Sequence, residues 1–348
     1  MPVNAPGAAP GLAAAAGQRT GYLSQDYAGS LSEFGQPLHL PRAGAWLLVR
    51  GIAPAGNPRD DGDARGHGAA GDAHDAGGVR DACDLRDAMG CYPLLACERW
   101  EALAEDLSAL GTRLVSVTAV SDPFADCDAA TVQAAFPDLV RPFKRHFVCE
   151  LGGDLDAMIS PHHRRCARKA ARKVDGEVLG RPLDHLAEWL ELFEPFARAR
   201  GVGGIRAFSS AAFERQLAVP GVFAVRAVRG SCTVGMQIWM LHGRVAYGHA
   251  LALSDEGYRL GAGYALYRFA LEQLAARVDF CDLGAVPGCD DAAAAGLAAF
   301  KAGWSNARRT AYLCGRISNP AAYARLAAGA AGGYFPAYRR GELAPPAP

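Results

Sequence analysis

The stretch that decides the fold lies in the last third of the chain: Arg244-Val-Ala-Tyr-Gly-His-Ala-Leu-Ala-Leu253, then Ser254-Asp-Glu-Gly-Tyr-Arg-Leu-Gly-Ala-Gly263, then the segment from Tyr264 to Arg277. The pattern predicts a strand, a glycine-rich turn and an amphipathic helix. The first N–H groups of a helix have no intrahelical partner, and the helix dipole favours negative charge there. We therefore expect a ligand that carries phosphate at this turn. A plain connection between strand and helix is the alternative.

Alternation along the strand separates large side chains from small ones. One face carries Val245, Tyr247, His249, Leu251 and Leu253, and the other carries Ala246, Gly248, Ala250 and Ala252. The row of small side chains predicts that something packs very closely against that face. The helix repeats Leu266, Ala270 and Leu274 on one stripe and pairs Arg268 with Glu272 at i, i+4.

The neighbouring segments extend this pattern into an α/β fold. Before the stretch come the helices 183–200 and 210–217 and the strands 221–229 and 232–241, and after it come the strand 278–284, the helix 293–303 and the strand 309–317. Three consecutive strands joined by short turns predict an antiparallel meander. The order as a whole predicts a mixed, mostly antiparallel sheet flanked by helices.

The first half is also α/β in character and carries no recognisable catalytic motif. Its predicted elements are the strands 45–51, 113–120 and 145–151 and the helix 99–110. Residues 1–20 are expected to form a flexible tail. Residues 54–80 are dominated by Gly, Asp, Ala and His without an apolar period, which predicts a disordered insertion.

Bulk properties exclude several classes of protein. The chain has 348 residues, half of them hydrophobic, and a formal net charge of zero. A large core is therefore available, whereas a general DNA-binding protein or a polybasic membrane anchor is not indicated. No stretch approaches the roughly 20 apolar residues of a membrane span. The ten cysteines show no C-x-x-C pair and no zinc spacing, so we expect no metal and a reduced, cytoplasmic protein.

The glycine turn fits neither of the commonest phosphate motifs. A dinucleotide fingerprint requires a third glycine where Leu266 stands, and a P-loop requires Gly-Lys-Ser/Thr, which is absent. The element order over about 180–317 is informative together with three segments: Tyr258-Arg-Leu-Gly-Ala-Gly263, Asp279-Phe-Cys-Asp-Leu-Gly284 and Gly296-Leu-Ala-Ala-Phe-Lys-Ala-Gly303. In these features the sequence resembles the GNAT acyltransferase superfamily, and within it the FemAB-like (CelD-like) branch. Tyr258 departs from the superfamily pattern, which has Arg or Gln at that position.

The resemblance implies two GNAT-like halves and transfer of an acyl group. Its expected divisions are a tail (1–20), an N-terminal half (21–150), a C-terminal acyltransferase domain (151–318) and an extension (319–348). The resemblance implies that the donor is an acyl-CoA co-substrate or an aminoacyl-tRNA, and that the acceptor is a small-molecule or glycan amine, as in cell-envelope or exopolysaccharide assembly. The donor phosphates would lie at the loop Tyr258, Arg259, Leu260, Gly261, Ala262 and Gly263. Attack is direct and needs no covalent enzyme intermediate.

Four residues are candidates for the chemistry. Asp282 is placed at the end of its strand, on the same face as Val278 and Phe280, where burial would raise its pKa and suit it to accept a proton. Capping of the following loop is its alternative role. His249 and Tyr247 point the same way from the strand beside the loop, although a lone histidine among apolar residues is more often a hydrogen-bonded core residue. Lys301 would stabilise charge near the acyl group, or would be an ordinary exposed lysine.

A basic run follows Ser160-Pro161, which predicts the N-cap and first position of a helix from His162 to Lys173. The run comprises His162, His163, Arg164, Arg165, Arg168, Lys169, Arg172 and Lys173 and covers nearly all faces of that helix. A solvated face is one interpretation. Binding of an anionic acceptor by Arg164, Arg165 and Arg168 is the other.

Two rival functions stay open at the level of sequence. An aminoacyl-tRNA-dependent FemAB-type transferase is less favoured than CoA, because no long coiled-coil insertion is present. A catalytically silent binding protein on the same scaffold is the second rival, and Tyr258 gives it weight.

Overall fold

The computed structural model describes residues 19–52, 85–286, 292–330 and 333–340. Its strands are β1 (Gln36–Leu40), β2 (Ala45–Gly51), β3 (Arg86–Gly90), β4 (Ser116–Val120), β5 (Leu139–Glu150), β6 (Asp175–Leu179), β7 (Val222–Arg229), β8 (Cys232–His242), β9 (Val245–Leu253), β10 (Phe280–Asp282) and β11 (Ala307–Ile317). Its α-helices are α1 (Gln25–Ser30), α2 (Leu103–Ala109), α3 (Ala129–Ala135), α4 (Leu155–Met158), α5 (Pro161–Ala170), α6 (Leu186–Ala199), α7 (Ser210–Leu217), α8 (Asp255–Leu260), α9 (Ala262–Leu274), α10 (Ala292–Ala302) and α11 (Pro320–Leu326).

The described strands form one 11-stranded sheet in the order β1-β2-β3-β4-β11-β5-β10-β9-β8-β7-β6. Neighbouring strands are antiparallel except for the pairs β3–β4 and β9–β10, which are parallel. This mixed, mostly antiparallel sheet with helices on its faces confirms the predicted fold class. The two parallel pairs are short, and the candidate site lies where the second of them ends.

Three hydrophobic clusters hold the helices to the sheet. Helices α5, α9 and α10 pack with Trp304 on one face of the C-terminal strands, whereas α1, α6 and α7 pack on the opposite face. Helices α2 and α3 pack with the strands β1–β4 and β11. In α9 the buried stripe is Leu266, Ala270 and Leu274, as the sequence predicts. The ion pair between Arg268 and Glu272 is also present.

One β-bulge overturns the predicted alternation along β9. The ladder pairs Trp239 with Gly248 but Ile238 with Ala250, so His249 is an extra residue without a partner on β8. Tyr247 packs in the cluster of α6 and α7, and so does Ala252, although the two positions differ in parity. The single face of small residues predicted for β9 is therefore wrong, because the bulge exchanges the two faces at His249.

Strands from before and after the predicted boundary at residue 150 alternate in the sheet. Strand β11, from the end of the chain, lies between β4 and β5, and β5 lies between β11 and β10. The division into 21–150 and 151–318 stays a prediction, but each part supplies a strand that is hydrogen-bonded inside the other. The expected disordered insertion at 54–80 lies outside the described residues. So does the expected tail, apart from Arg19 and Thr20, of which Arg19 forms an ion pair with Glu98.

None of the helices in the described ranges combines the length and apolar composition needed to cross a bilayer.

Candidate functional site

A slot opens where β9 and β10 part. The two strands are paired over only three positions, and the last pair joins Asp282 to Tyr247. Beyond that point β9 continues to Leu253 without β10 beside it, and residues 248–251 are partly exposed. A Cβ atom on Gly248 would lie 3.3 Å from the carbonyl oxygen of Asp282, so glycine lets the two strands stay close at the base of the slot. The exposed backbone edge and the bulge are available to a ligand.

The corresponding place in the N-terminal half is filled by the chain itself. Strands β3 and β4 are parallel over two positions, after which Leu95 forms a bridge to Ser121. Leu94 and Leu95 are buried there. Of the two parallel pairs, only the one in the C-terminal half therefore leaves a slot.

Asp282 and His146 form a hydrogen-bonded pair at the base of the slot. The Nδ1 of His146 lies 2.7 Å from Oδ2 of Asp282, and the N–H of Gly284 donates to the other oxygen, Oδ1, at 2.7 Å. The Asp282 carboxylate is buried. Since a carboxylate accepts, Nδ1 carries the proton. The Nε2 of His146 has no hydrogen-bond partner among the described residues and is not one of their buried unpaired atoms, so it reaches solvent.

Asp282 thus lies at the strand end and faces the same way as Phe280, as expected. Val278 precedes β10 and packs in the cluster of the opposite face, so its predicted place beside Asp282 is wrong. The capping role weighed for Asp282 is present, because one of its oxygens accepts from the N–H of Gly284, while the other is paired with His146. Its role as a proton acceptor stays a prediction. An aspartate that orients a histidine can act through it in proton transfer.

Lys301 reaches the same strand end from α10. Its Nζ donates to the carbonyl of Ala285 at 2.7 Å, and a Cβ atom on Gly284 would lie 3.6 Å from it. Phe300 fixes the helix by packing against Tyr264 and Tyr267. Burial lowers the pKa of the Lys301 ammonium to about 8, while the charge of Asp282 acts in the opposite direction. The residue is not an ordinary exposed lysine.

Asp122 comes from the other half of the chain and meets Tyr247. The Tyr247 hydroxyl donates to Oδ2 of Asp122 at 2.8 Å, and the N–H of Phe124 donates to Oδ1 at 2.8 Å. Burial raises the pKa of Asp122 to about 6, and the charge of Asp282 acts in the same direction. Burial and the Asp122 carboxylate hold the pKa of Tyr247 above its usual range. Tyr247 is therefore a neutral donor at physiological pH.

His249 belongs to a separate network behind the slot. Its Nδ1 lies 3.2 Å from the Tyr22 hydroxyl, and its Nε2 lies 3.0 Å from Oε1 of Gln216. The ring stacks on Phe208. Burial lowers the pKa of His249 to about 4. Both ring nitrogens are occupied and the ring is neutral at physiological pH, which is the core-residue alternative for this histidine.

The predicted glycine-rich turn is in part a helix. Ser254 caps α8 by accepting from the N–H of Gly257 at 3.0 Å, and Gly261 ends it in the left-handed region at φ +75°. Gly257 is needed because a Cβ atom there would overlap the carbonyl oxygen of Val234. Helix α9 starts at once, so the expected loop 258–263 spans the end of α8 and the beginning of α9. The open glycine turn over 254–260 was wrong because Ser254 and the acidic first turn stabilise a helix.

The start of α9 nevertheless leaves two backbone donors. The N–H groups of Gly261 and Tyr264 donate within the turn, to Tyr258 and Gly261. Those of Ala262 and Gly263 begin α9 and have no acceptor within that helix, and both residues are buried. Leu260 is partly buried and Arg259 is exposed.

Tyr258, which departs from the superfamily pattern, is half exposed and contacts an arginine. The Arg200 guanidinium lies 5.7 Å from the centre of the Tyr258 ring and donates to its hydroxyl at 3.4 Å. Arg200 is the C-cap residue of α6 and directly follows Ala199. A guanidinium therefore lies beside position 258, although the residue at 258 is not itself basic.

The basic run is helical, but it does not cover all faces of α5. Ser160 caps the helix as predicted, and His163, Ala167 and Ala170 form a buried stripe against α9 and α10. Arg165, Arg168, Lys169, Arg172 and Lys173 are exposed. Arg164 is partly buried and donates to the carbonyl of Asp156. The prediction of charge on nearly all faces was wrong because every third or fourth position is a packing residue.

Two residues of the site were missed by sequence reasoning. His146 stands two positions before Val148 on β5, so alternation alone could place it on the face that Val148 shares with Asp282. Asp122 lies in the turn after β4, and no local pattern connects it to a strand 125 residues away. Within the described residues, no group of three or more His, Cys, Asp or Glu side chains is arranged to hold a metal ion.

Comparison with known proteins identifies the fold. No protein-family model matches the chain, and no curated protein matches it in sequence. The FemX structure matches with a TM-score of 0.53 at 11% identity, over 83% of this chain and 90% of that chain. The C-terminal domain (DUF2156) of a protein described as a lysylphosphatidylglycerol synthetase from Agrobacterium fabrum matches at 0.51 and 15% identity, over 86% and 89%. L-PGS from Bacillus licheniformis matches at 0.50 and 12%, over 86% and 94%.

The chain has a GNAT-like fold, consistent with two GNAT-like halves.

Proposed function

We propose that the protein is a cytoplasmic N-acyltransferase of the FemAB-like branch, which transfers an acyl group from acyl-CoA to an amine. The observation that carries the proposal is the His146–Asp282 pair at the base of the slot between β9 and β10. A histidine held by a buried carboxylate, with its second nitrogen open to solvent, suits proton transfer beside a bound ligand.

The donor would enter along the exposed edge of β9. Its pyrophosphate would accept from the N–H groups of Ala262 and Gly263 at the start of α9, where the helix dipole also favours an anion. Arg200, stacked on Tyr258, and Arg259 would add positive charge beside the phosphates. The thioester would then lie near the bulge at Gly248 and His249, with its carbonyl within reach of backbone donors.

The reaction would be a direct displacement. The amine nitrogen attacks the thioester carbonyl, the new C–N bond forms, and the C–S bond breaks to release CoA as a thiolate. Nε2 of His146 accepts the proton that the amine loses, and Asp282 stabilises the imidazolium that results. That proton is then available to the thiolate. No covalent enzyme intermediate is needed.

Lys301 would supply a positive charge at the same place. Its ammonium lies at the Gly284–Ala285 turn beside Asp282, in a buried setting where charges interact more strongly than in water. It would stabilise the negative charge that develops on the carbonyl oxygen or on the leaving sulfur. The hydrogen-bonded pair of Asp122 and Tyr247 lies close enough to Asp282 for its charge to raise both of their pKa values, and this pair would help to receive the amine.

Calorimetry with acetyl-CoA, followed by a transfer assay with a panel of amines, tests the proposal. We expect binding, and we expect His146→Gln to lower kcat about 100-fold or more, in the range of a lost general base. His185→Gln is a matched control, because His185 pairs with Glu188 outside the slot. No binding of acetyl-CoA would refute the proposal, and binding without transfer to any amine would favour a catalytically silent binding protein.

An aminoacyl-tRNA donor is the second candidate. The exposed cations of α5 favour it, because α5 lies close to the start of α9. A Cβ atom on Gly261, which precedes α9, would lie 3.8 Å from the Cβ of Ala170 on α5. Phosphates beyond the slot would meet these cations. Transfer from an aminoacyl-tRNA but not from acetyl-CoA, with a steep loss at higher salt, would replace CoA by tRNA in the proposal.

A further inference from the structure

One arginine beside the candidate base has no acidic partner. Arg309 on β11 stands directly opposite His146 on β5 in the antiparallel ladder, on the same face of the sheet. Side chains at such positions have Cβ atoms about 4.5–5.5 Å apart. None of the ion pairs or side-chain hydrogen bonds among the described residues involves the Arg309 guanidinium, and the residue is only partly exposed.

Two aromatic rings hold the guanidinium in place. It lies 4.4 Å from the centre of the Phe124 ring and 4.9 Å from the centre of the Phe280 ring. Stacking on ring faces fixes the plane of a guanidinium while leaving its N–H groups free to donate at the edge. A planar pair of N–H donors matches a carboxylate in the bidentate arrangement.

The charges nearby determine which anion fits. Strand β5 lies between β11 and β10, so the Asp282 carboxylate lies on the other side of His146 from Arg309 and would repel a dianion such as a phosphate monoester. The same carboxylate attracts an ammonium. The arrangement therefore has a cation on one side, an acidic group on the other and the candidate base between them.

We propose that Arg309 binds the carboxylate of the acceptor, and that the acceptor is an amino acid or another amine with a carboxylate close to the nitrogen. The proposal rests on the function proposed above, which it deepens by naming the class of acceptor. Arg309 would hold the acceptor with its amine at Nε2 of His146 and would reject amines that lack the carboxylate, because the guanidinium would then stay unpaired.

Matched pairs of amines test this in the absence of any donor. Alanine and ethylamine differ only in the carboxylate, as do lysine and cadaverine. We expect the native protein to bind the carboxylated member of at least one pair about 10- to 100-fold more tightly in NMR titrations, the range for a charge-assisted hydrogen bond. In Arg309→Gln this preference should fall to within about 2-fold.

Arg308→Gln is the matched control. Arg308 also stacks on a phenylalanine, at 3.8 Å from the Phe147 ring, but it is exposed and donates to Ser305. This variant should keep the preference. If thermal melts show that Arg309→Gln is unfolded, Arg309→Lys replaces it, since lysine keeps the charge without the planar fork and should lose most of the preference.

Equal binding of both members of each pair, no binding of any of the four, or a preference that survives in Arg309→Gln would each overturn the proposal. Transfer assays with acetyl-CoA separate this inference from the proposed function. Equal transfer to alanine and ethylamine would refute the role of Arg309 and leave the acyltransferase standing. A carboxylate preference in binding without any transfer would leave Arg309 standing and remove the acyltransferase.

Discussion

At the scale of single residues, hydrogen bonding decides which polar groups are left for chemistry. His249 and His146 both lie near the end of β10, yet Tyr22 and Gln216 occupy both nitrogens of His249, whereas Asp282 occupies one of His146. The sequence could indicate that Asp282 faces inward at a strand end. It could not indicate which histidine Asp282 meets, because that pairing joins residues 136 positions apart.

The pH dependence of the proposed acyl transfer should show when the Lys301 ammonium loses its charge. Its pKa of about 8 in the folded protein means that the ammonium is lost as the pH rises through 8, well below the usual range for lysine. The rate of the proposed transfer by the native protein, divided by that of Lys301→Arg, should therefore fall between pH 7 and 9, because arginine stays charged. The ratio of kcat/KM values across this range measures it, and a flat ratio would assign Lys301 a purely structural role.

Asp122 should limit stability above pH 6. Its pKa rises from 3.8 to about 6 on folding, so the folded state favours the neutral acid, and stability present below pH 3.8 is lost as the pH rises through 6. Asp122→Asn keeps a neutral polar group there. It should be more stable than the native protein at pH 8 by on the order of 2–3 kcal/mol, and the difference should shrink toward pH 4.

Urea unfolding at pH 8 and pH 4 measures this difference. Asp128→Asn is the control, because Asp128 is an exposed helix cap and asparagine caps equally well, so little change is expected. A destabilised Asp122→Asn at pH 8 would show that the ionised carboxylate is the form the fold prefers.

At the scale of secondary-structure elements, capping and periodicity were sufficient to predict the helices α5, α7 and α9. They were not sufficient to predict which way the side chains of β9 face. The helices repeat their packing residues every three or four positions, which a sequence displays directly. The bulge at His249 leaves no such trace, since it depends on how β8 and β9 pair. Helix α8 was overlooked because Gly257 and Gly261 suggested a loop. In the structure Gly257 allows α8 to pack against the Val234 carbonyl, and Gly261 ends the helix in the left-handed conformation.

The contact between α10 and α5 provides a test at this scale. A Cβ atom on Gly303 would overlap the ring of His163, which is held by Ser160 and by the carbonyl of Phe300. Gly303→Ala should therefore destabilise the protein by about 1–3 kcal/mol, as overpacking does. Gly303 directly follows the last residue of α10, whereas Gly296→Ala, within that helix, is the control. Nothing lies within 4 Å of its Cβ position, so a gain of about 0.5–1 kcal/mol is expected. Equal free energies of unfolding for the two variants would contradict the packing argument.

At the scale of the whole molecule, strands from the two parts of the chain alternate in the sheet, since β11 lies between β4 and β5. This alternation explains why the candidate site contains residues from both halves. His146 and Asp122 come from the part before residue 150, and Asp282, Tyr247 and Lys301 come from the part after it. The order of elements predicted a mixed sheet, but it could not predict that the last strand lies beside β4. Local patterns fix where strands are, whereas their order in a sheet depends on contacts between residues far apart in sequence.

This alternation of strands predicts that neither half folds alone. A cut between residues 150 and 151 leaves β5 in the first fragment and both of its partners, β10 and β11, in the second. Each fragment would then expose unpaired strand edges at its centre, which favours aggregation or disorder over a native sheet. We expect fragments 19–150 and 151–340 to lack native near-ultraviolet circular dichroism separately and to regain it when they are mixed. The uncut chain 19–340 should unfold in a single transition. Cooperative unfolding of fragment 151–340 by itself would show that the C-terminal half is independent, and that His146 joins a site which is already formed.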